Sequence, residues 1–422
     1  MPAIRTLLGE HRDAAVLAAA AAAAVLLGLL LARSPLLAGL AVLALAVAAG
    51  AARFGALAVV APAIAALPWL VVLEGIAPPL LGTFTTAAAT AGLLLVAMPL
   101  RFDGPLVPFG ALGFVLIVLA HATFATDEEQ LIQASKYMIF PAVALAVASL
   151  STSDLLVRLK WLVLGSSLGA MVFHLGIVAA GVGNSSTYYD AGEKLGLSAE
   201  GGPHSLALLA TIVAAAGLTL RRADLQIAFF ALGAVPALLT GVRSAMLAIA
   251  VILVVYLVQS RGKPRALGVL AGIAAIAVVS GAVEVVIARF DSESAELASF
   301  ASLGSGRGII WTVALQGWEA AGPGAWLYGA GLRSVFGFEV AALGSGFVGH
   351  SDFIEVIVQL GVAGLVAWVA LWGGLLRAGL SALVLLPMLA FGVVNGTLEY
   401  VPPLAVGLFL AAAVADRRRS PP

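Results

Sequence analysis

The chain has 422 residues, of which 62% are hydrophobic and only 10% are charged, and its basic and acidic side chains balance to zero formal net charge. Soluble domains carry about 25% charged residues, so this composition excludes an ordinary soluble protein as well as a disordered chain. Cysteine is absent, which excludes a disulfide scaffold and thiolate metal sites. A neutral chain offers no global field for nucleic acid, which is therefore not expected as a partner.

Apolar runs of membrane-spanning length recur along the whole chain and predict an all-α polytopic integral membrane protein. Their number is about fourteen, with twelve as the alternative because several runs are short. In chain order the runs are Ala14–Leu31, Leu36–Gly50, Gly55–Leu73, Leu80–Leu100, Leu106–Ala120, Tyr137–Leu150, Trp161–Val182, Ser205–Leu220, Leu225–Thr240, Ser244–Val258, Ala266–Ala288, Ile354–Leu376, Leu380–Val394 and Val401–Ala415. The first is too long for a signal-peptide apolar region and is interpreted as an uncleaved helix.

The distribution of basic residues predicts the orientation in the membrane. With the N-terminus inside, about two thirds of the 22 Lys and Arg residues fall on the inner side, as the positive-inside rule requires. Both termini are therefore predicted to be cytoplasmic. Four of the outer basic residues lie late in the chain and need another explanation: Arg243, Arg289, Arg307 and Arg333.

The longest polar interval, Arg289–Phe353, predicts one long periplasmic loop between the eleventh and twelfth spans. A shorter outer loop, Gly183–Pro203, is polar and rich in glycine. The chain is accordingly divided into an N-terminal transmembrane bundle (1–288), a periplasmic loop region that carries active-site residues (289–353) and a C-terminal three-span bundle with a basic cytoplasmic tail (354–422).

Two arginines in this part of the sequence are candidates for binding an anion. Arg243 lies in a turn between two apolar runs at the outer face, where it is either a snorkelling anchor or a fixed cation for an anionic headgroup. Arg307 lies between glycines before a segment with helical periodicity, so backbone N–H groups and a guanidinium face the same point. A guanidinium suits a diphosphate because its planar fork donates two hydrogen bonds at once.

His350 precedes the twelfth span at the outer mouth of the membrane, where a neutral imidazole can accept a proton from a sugar hydroxyl. Glu355 follows about one helical turn later and is placed to orient the imidazole. A hydrogen-bonded structural histidine is the alternative interpretation. No metal or other cofactor is expected, because no cluster of His and carboxylate residues has the spacing of a known metal motif.

Taken in order, these segments resemble the O-antigen ligase and polymerase superfamily of bacterial inner-membrane glycosyltransferases. The similar features are Thr240-Gly241-Val242-Arg243-Ser244, then Gly306-Arg307 with Trp311, then Pro323 and Gly329-Ala330-Gly331, then His350 with Glu355. The resemblance covers roughly Leu225–Gly364. In one departure, Ser351 follows His350 where the family often has asparagine, and Arg333 is a secondary candidate outside the family pattern.

The resemblance implies a metal-independent transferase at the periplasmic face of the inner membrane, and a direct displacement at the anomeric carbon is expected to invert its configuration. Its donor would be an undecaprenyl-diphosphate-linked glycan and its acceptor lipid A–core, with membrane lipids around the protein. Arg243 and Arg307 would hold the diphosphate, and His350 would activate the acceptor hydroxyl. Arg333 and Glu355 are further candidate substrate-binding residues, to which the resemblance assigns no role. A repeat-unit polymerase of O-antigen or exopolysaccharide and a protein O-oligosaccharyltransferase are alternatives within the family.

A transporter or flippase of lipid intermediates is the alternative from another class. Transporters place ionisable residues at mid-span and carry broken helices in paired halves. Here Glu74 and Glu284 lie near span ends and no two halves of the sequence correspond. Glycosyl transfer is therefore the favoured hypothesis.

Overall fold

The structure is a computed structural model that describes residues 56–73, 81–97, 100–102, 104–151, 154–180, 185–187, 193–195, 203–260, 264–279, 307–344 and 351–415. The helices in these ranges are α1 (Ala56–Val72), α2 (Leu81–Ala97), α3 (Leu106–Thr123), α4 (Glu128–Leu150), α5 (Asp154–Ala179), α6 (His204–Gly217), α7 (Ala223–Leu239), α8 (Arg243–Ser260), α9 (Pro264–Val279), α10 (Arg307–Ala320), α11 (Pro323–Tyr328), α12 (Ser334–Leu343), α13 (Asp352–Arg377), α14 (Ala382–Asn395) and α15 (Val401–Ala413). Two short strands, β1 (Ser185–Thr187) and β2 (Glu193–Leu195), pair antiparallel with Ser186 opposite Lys194.

The helical character predicted from the sequence is confirmed, and every predicted span in the described ranges corresponds to a helix. By length and composition alone, five of the described helices are suited to crossing a membrane: Leu106–Thr123, Glu128–Leu150, Arg158–Ile177, Arg243–Ser260 and Asp352–Arg377. The predicted spans Ala14–Leu31 and Leu36–Gly50 lie outside the described residues, so the number of spans stays a prediction. The small β1–β2 ladder lies within the predicted outer loop Gly183–Pro203.

The structure differs from the predictions in two places. Helix α4 begins at Glu128, well before the predicted start at Tyr137, because the side chain of Asp127 caps the helix by accepting from Gln130 N at 2.8 Å. The interval predicted as a long loop contains three helices in its described part, α10, α11 and α12. The periodicity after Arg307 correctly indicated the first of them.

Helices α6 and α15 lie at the centre of the bundle, where nearly all their residues are buried. Their sequences are rich in alanine, glycine and leucine, and small residues let neighbouring backbones approach closely in a membrane bundle. Gly233 of α7, for example, lies against the α6 backbone at Ala210 and Ala214, where a Cβ atom would collide. At the periphery, Phe109, Leu112 and Leu116 of α3 form an exposed apolar stripe suited to lipid.

Helix α13 contains a break at Gly361, whose φ of 70° is not helical. A break of this kind deprives carbonyl groups one turn earlier of their partners, and buried carbonyls require replacements. The turn after α11 supplies them: Ala330 N donates to Val358 O at 2.8 Å and Gly331 N donates to Gln359 O at 3.2 Å. Backbone N–H groups of the Gly329-Ala330-Gly331 segment thus replace the hydrogen-bond donors that α13 lacks at its break.

Contacts between α6, α7 and α8 define which helix ends meet. Gln226, near the start of α7, donates to the carbonyls of Leu218 and Leu220 just after α6, and Tyr256, late in α8, donates to Gln226 Oε1 at 3.2 Å. The opposite ends of these helices therefore lie together. We call that face of the bundle the His204 end, because α6 begins there at His204.

Candidate functional site

Arg307 is fixed at the His204 end by the last turn of α14. Its Nη1 donates to Val394 O at 2.8 Å and its Nη2 donates to Asn395 Oδ1 at 2.9 Å. Burial lowers the pKa of Arg307, yet a guanidinium so basic remains protonated at neutral pH. The Val394 carbonyl lies in the last turn of α14, and the partial negative charge at a helix C-terminus favours a cation. The cation is thereby held in one position.

The amide of Asn395 links Arg307 to His204. An arginine can only donate, so the atom facing it must be the amide oxygen, and Asn395 Nδ2 then donates to His204 Nδ1 at 2.9 Å. His204 Nδ1 is therefore the acceptor, and the neutral ring carries its proton on Nε2. Tyr400 stacks on the imidazole with ring centroids 6.1 Å apart.

The turn between α14 and α15, residues 396–400, is anchored by the start of α13. Asp352 is 1% exposed, and its carboxylate accepts from Thr397 N at 2.7 Å, from Leu398 N at 3.0 Å and from Thr397 Oγ1. Ser351 caps the same helix by accepting from Ile354 N at 3.4 Å. The start of α13 and the turn 396–400 are thus held together by buried polar contacts.

Glu399, in the same turn, is paired with α4. Its carboxylate accepts from Lys136 Nζ at 2.7 Å and from Gln133 Nε2 at 2.5 Å. Burial alone would raise the pKa of Glu399, but the charge of Lys136 and the hydrogen bonds from Lys136 and Gln133 lower the pKa below its ordinary value. The Glu399 carboxylate therefore stays ionised at neutral pH.

Arg333 and Glu355 lie on one polar cavity of about 250 Å³. Gln359 connects them, because its Oε1 accepts from Arg333 N at 2.8 Å while its amide donates to Glu355. The Arg333 guanidinium pairs with Glu129, and Tyr137 Oη donates to Glu355 at 3.3 Å. Arg333 is also the one non-glycine residue with positive φ (61°) in the described part of the chain.

The predicted site residues thus fall into two neighbouring groups. Arg307 belongs to the Asn395–His204 group, whereas Arg333 and Glu355 share the cavity. Arg243, half-buried, begins α8 at the His204 end, since the other end of α8 meets Gln226. His350, the predicted catalytic residue, lies outside the described residues, so its role stays a prediction.

The sequence analysis did not identify Asn395, the partner of Arg307, or the contacts of Glu399 with Lys136 and Gln133. Asn395 and Glu399 belong to a short polar segment between the last two apolar runs, on the side predicted to be outside. Lys136 and Gln133 lie between the predicted fifth and sixth spans. A polar segment in the otherwise apolar C-terminal part of the chain was the available signal.

These features define a multi-pass membrane protein with a polar, charge-bearing layer at one end of its helical bundle. Residues 228–369 match the family model described as O-antigen ligase, which confirms the resemblance predicted from the sequence. The matched segment contains Arg243, Arg307, Arg333, His350 and Glu355. Among curated proteins, no significant match to the chain is found.

Proposed function

We propose that the protein transfers a glycan from undecaprenyl diphosphate to an acceptor hydroxyl at the periplasmic face of the bacterial inner membrane. The observation that carries the proposal is the fixed position of Arg307. This cation lies in the segment that matches the O-antigen ligase family, and Val394 and Asn395 outside that segment hold it in place. That family supports glycosyl transfer of the O-antigen ligase or polymerase type in general. Lipid A–core is the proposed acceptor.

In the proposed reaction the acceptor oxygen attacks the anomeric carbon of the donor sugar, and the bond from that carbon to the diphosphate oxygen breaks. A single displacement inverts the anomeric configuration. His350 takes the proton of the acceptor hydroxyl, and undecaprenyl diphosphate leaves with the bonding electrons. Arg307 and Arg243 would stabilise the negative charge that develops on the leaving diphosphate.

Fixing Arg307 in advance matters because a preorganised donor costs little reorganisation at the moment of reaction. Removal of one such donor raises a barrier by about 2.7–4 kcal/mol in comparable oxyanion sites, which is about 10²–10³-fold in rate. Arginine charge would serve the leaving group without a metal ion. Chelation of divalent ions is therefore expected to leave the rate unchanged.

The test is transfer by the purified full-length protein in proteoliposomes, with an undecaprenyl-diphosphate glycan as donor and lipid A–core as acceptor. Alanine variants of Arg243, Arg307 and His350 should each lose transfer, while Arg377→Ala, at the far end of α13, serves as a matched arginine control. Retained transfer in all three variants would refute the mechanism. Lengthened glycan chains in place of glycosylated lipid A would assign the polymerase reaction instead.

The proposed orientation has its own test. The chain contains no cysteine, so a single Phe300→Cys variant can be labelled without a background thiol. A membrane-impermeant reagent should reach that position from the periplasmic side of intact cells whose outer membrane is permeabilised. Labelling only after the inner membrane is opened would place this segment in the cytoplasm and contradict the proposal.

A further inference from the structure

The cavity beside the Arg307 group is built from four separate parts of the chain, and we call it the Lys136 cavity. It is formed by α4, by residues 333–336, by α13 and by the turn 396–400. Its volume is about 250 Å³. The lining residues are Glu129, Ile132, Gln133, Lys136, Arg333, Val335, Phe336, Glu355, Gln359 and Glu399.

The charges on this lining do not suit a diphosphate. Three carboxylates face two cations, so the described lining has a formal charge of −1. Lys136 is paired with Glu399, and Arg333 is paired with Glu129. An anionic ligand would have to break these pairs and approach carboxylates, which is unfavourable in a partly buried site. The cavity is therefore distinct in chemistry from the Arg307 group.

The remaining lining suits a sugar ring. The Gln133 and Gln359 amides each carry two N–H donors and an oxygen with two lone pairs, so their bonds to Glu399, Glu355 and Arg333 N use only part of that capacity and the rest can serve sugar hydroxyls. Ile132, Val335 and Phe336 supply an apolar side for the ring C–H groups, and Arg333 lies over Phe336 at 4.6 Å from the ring centroid. The lining therefore combines directed polar groups with one apolar side, and a sugar ring presents both hydroxyls and C–H groups to such a lining.

The cavity is large enough for a sugar ring. Its volume of about 250 Å³ is many times the space that a single bound water needs, and it accommodates a monosaccharide ring with its hydroxyls. We infer that the Lys136 cavity is a subsite for one uncharged or amino sugar of the glycan substrate, and that it rejects acidic sugars. The inference rests on the proposed glycosyl transfer for the identity of the ligand. According to this inference, Arg333 and Glu355 contact the sugar and do not bind the diphosphate.

Cysteine labelling of the full-length protein in proteoliposomes tests this subsite without turnover. Ile132→Cys places one thiol on the cavity wall of a cysteine-free chain, and Phe124→Cys, at a side chain that is 82% exposed, is the control. The probes are methyl glucoside, methyl N-acetylglucosaminide and methyl glucuronide. The two neutral glycosides should slow labelling at position 132 and not at position 124, whereas the glucuronide should slow neither.

The charge of the labelling reagent gives a second readout. A cationic methanethiosulfonate should react at position 132 at least about tenfold faster than an anionic one, relative to their ratio at position 124. Gln133→Leu in the Ile132→Cys background should abolish protection by the neutral glycosides. Equal protection by the glucuronide, no protection by any glycoside, or protection that survives Gln133→Leu would overturn the inference.

These results separate the subsite from the transfer reaction. His350→Ala should abolish transfer and keep sugar protection, and Gln133→Leu should abolish protection and weaken transfer mainly through a higher KM. Transfer by wild type without any protection would refute the subsite alone. Protection without transfer to any acceptor would refute the proposed function while the sugar site stands.

Discussion

Arg307 Nη2 donates to Asn395 Oδ1 at 2.9 Å, and this hydrogen bond joins the start of α10 to the end of α14. The two residues are separated by 88 positions in sequence, and α13 lies between them along the chain. Because the same amide donates to His204, Asn395 sets the position of Arg307 and the tautomer of His204 together. Asn395 is therefore a positioning residue for the proposed diphosphate-binding cation.

Replacement of Asn395 by leucine should lower glycan transfer by about tenfold or more, because a hydrogen bond to a charged group contributes about 1.5–3 kcal/mol. The loss should appear in kcat, since Arg307 keeps its charge and its bond to Val394 O. Asn395→Asp should retain most activity, because its carboxylate can accept from Arg307 and from a protonated His204. Steady-state kinetics in proteoliposomes provide the measurement. Similar kcat values for wild type and Asn395→Leu would contradict the positioning role.

The helices themselves could be predicted from the sequence because a membrane leaves the backbone few alternatives. Runs such as Leu106–Ala120 and Val401–Ala415 needed no information about neighbours to be identified as helices. The start of α4 was predicted too late because Glu128, Glu129 and Lys136 look like loop residues in isolation. In the structure Glu129 and Lys136 are paired with Arg333 and Glu399, and such pairing reduces the cost of placing charges on a helix in this layer.

The arrangement of the site could be predicted only in part. Glycines beside Arg307 and a turn at Arg243 mark candidate cations, but periodicity carries no information about partners far away in sequence. Lys136 and Glu399 are 263 positions apart, and only the packing of α4 against α15 brings their segments together. The helix break at Gly361 could not be predicted either, because glycine is common in membrane helices. Only the φ of 70° in the structure distinguishes Gly361 from a glycine inside a regular helix.

Removal of Lys136 should destabilise the protein and reverse its pH dependence. In wild type the pKa of Glu399 is lowered, so the pair stabilises the fold above the ordinary glutamate pKa of about 4.3 and loses this contribution as the pH falls through the lower folded value. In Lys136→Met burial remains without the cation, so the Glu399 pKa rises and stability falls as the pH rises. A cost of about 1–3 kcal/mol at neutral pH is expected, below that of a fully buried pair, since the Lys136 side chain is 25% exposed.

Thermal unfolding in detergent at acidic and neutral pH measures this effect. The double variant Lys136→Met/Glu399→Gln should recover much of the lost stability and show little pH dependence from this position, because no ionised group remains buried there. Parallel pH profiles for wild type and Lys136→Met would show that the pair does not contribute as proposed.

Gly329→Ala should prevent the turn after α11 from closing on α13. Gly329 has φ of 93°, and a Cβ atom there would collide with the Gln359 carbonyl. The substitution adds backbone strain and endangers the bonds from Ala330 and Gly331 that repair the helix break, so a cost of about 3 kcal/mol or more is expected. Gly324→Ala is the matched control, because a Cβ atom there meets nothing within 4 Å.

The measurement is the unfolding temperature of each purified variant, together with its yield from membranes. Gly324→Ala should remain within about 0.5 kcal/mol of wild type. An unfolding temperature for Gly329→Ala that equals that of Gly324→Ala would mean that the turn can move away from Gln359 at no cost.

Asp352 lies two residues after the predicted base His350 and is therefore a candidate for proton transfer. Its contacts indicate a structural role instead. Its Oδ1 accepts from Thr397 N and Leu398 N, and its Oδ2 accepts from the Thr397 hydroxyl. An asparagine can reproduce all three bonds, because its oxygen accepts from the two backbone N–H groups and its amide donates to the hydroxyl.

Asp352→Asn is therefore expected to keep transfer activity within about a factor of three of wild type and to change stability by less than ~1 kcal/mol. Asp352→Ala leaves two buried N–H groups without acceptors and should cost about 2–4 kcal/mol, which displaces the turn that carries Glu399 and Tyr400. Transfer rates and unfolding temperatures of the two variants are compared in parallel. A folded but inactive Asp352→Asn would assign proton transfer to Asp352, because asparagine keeps the three hydrogen bonds and differs from aspartate in having no ionisable group.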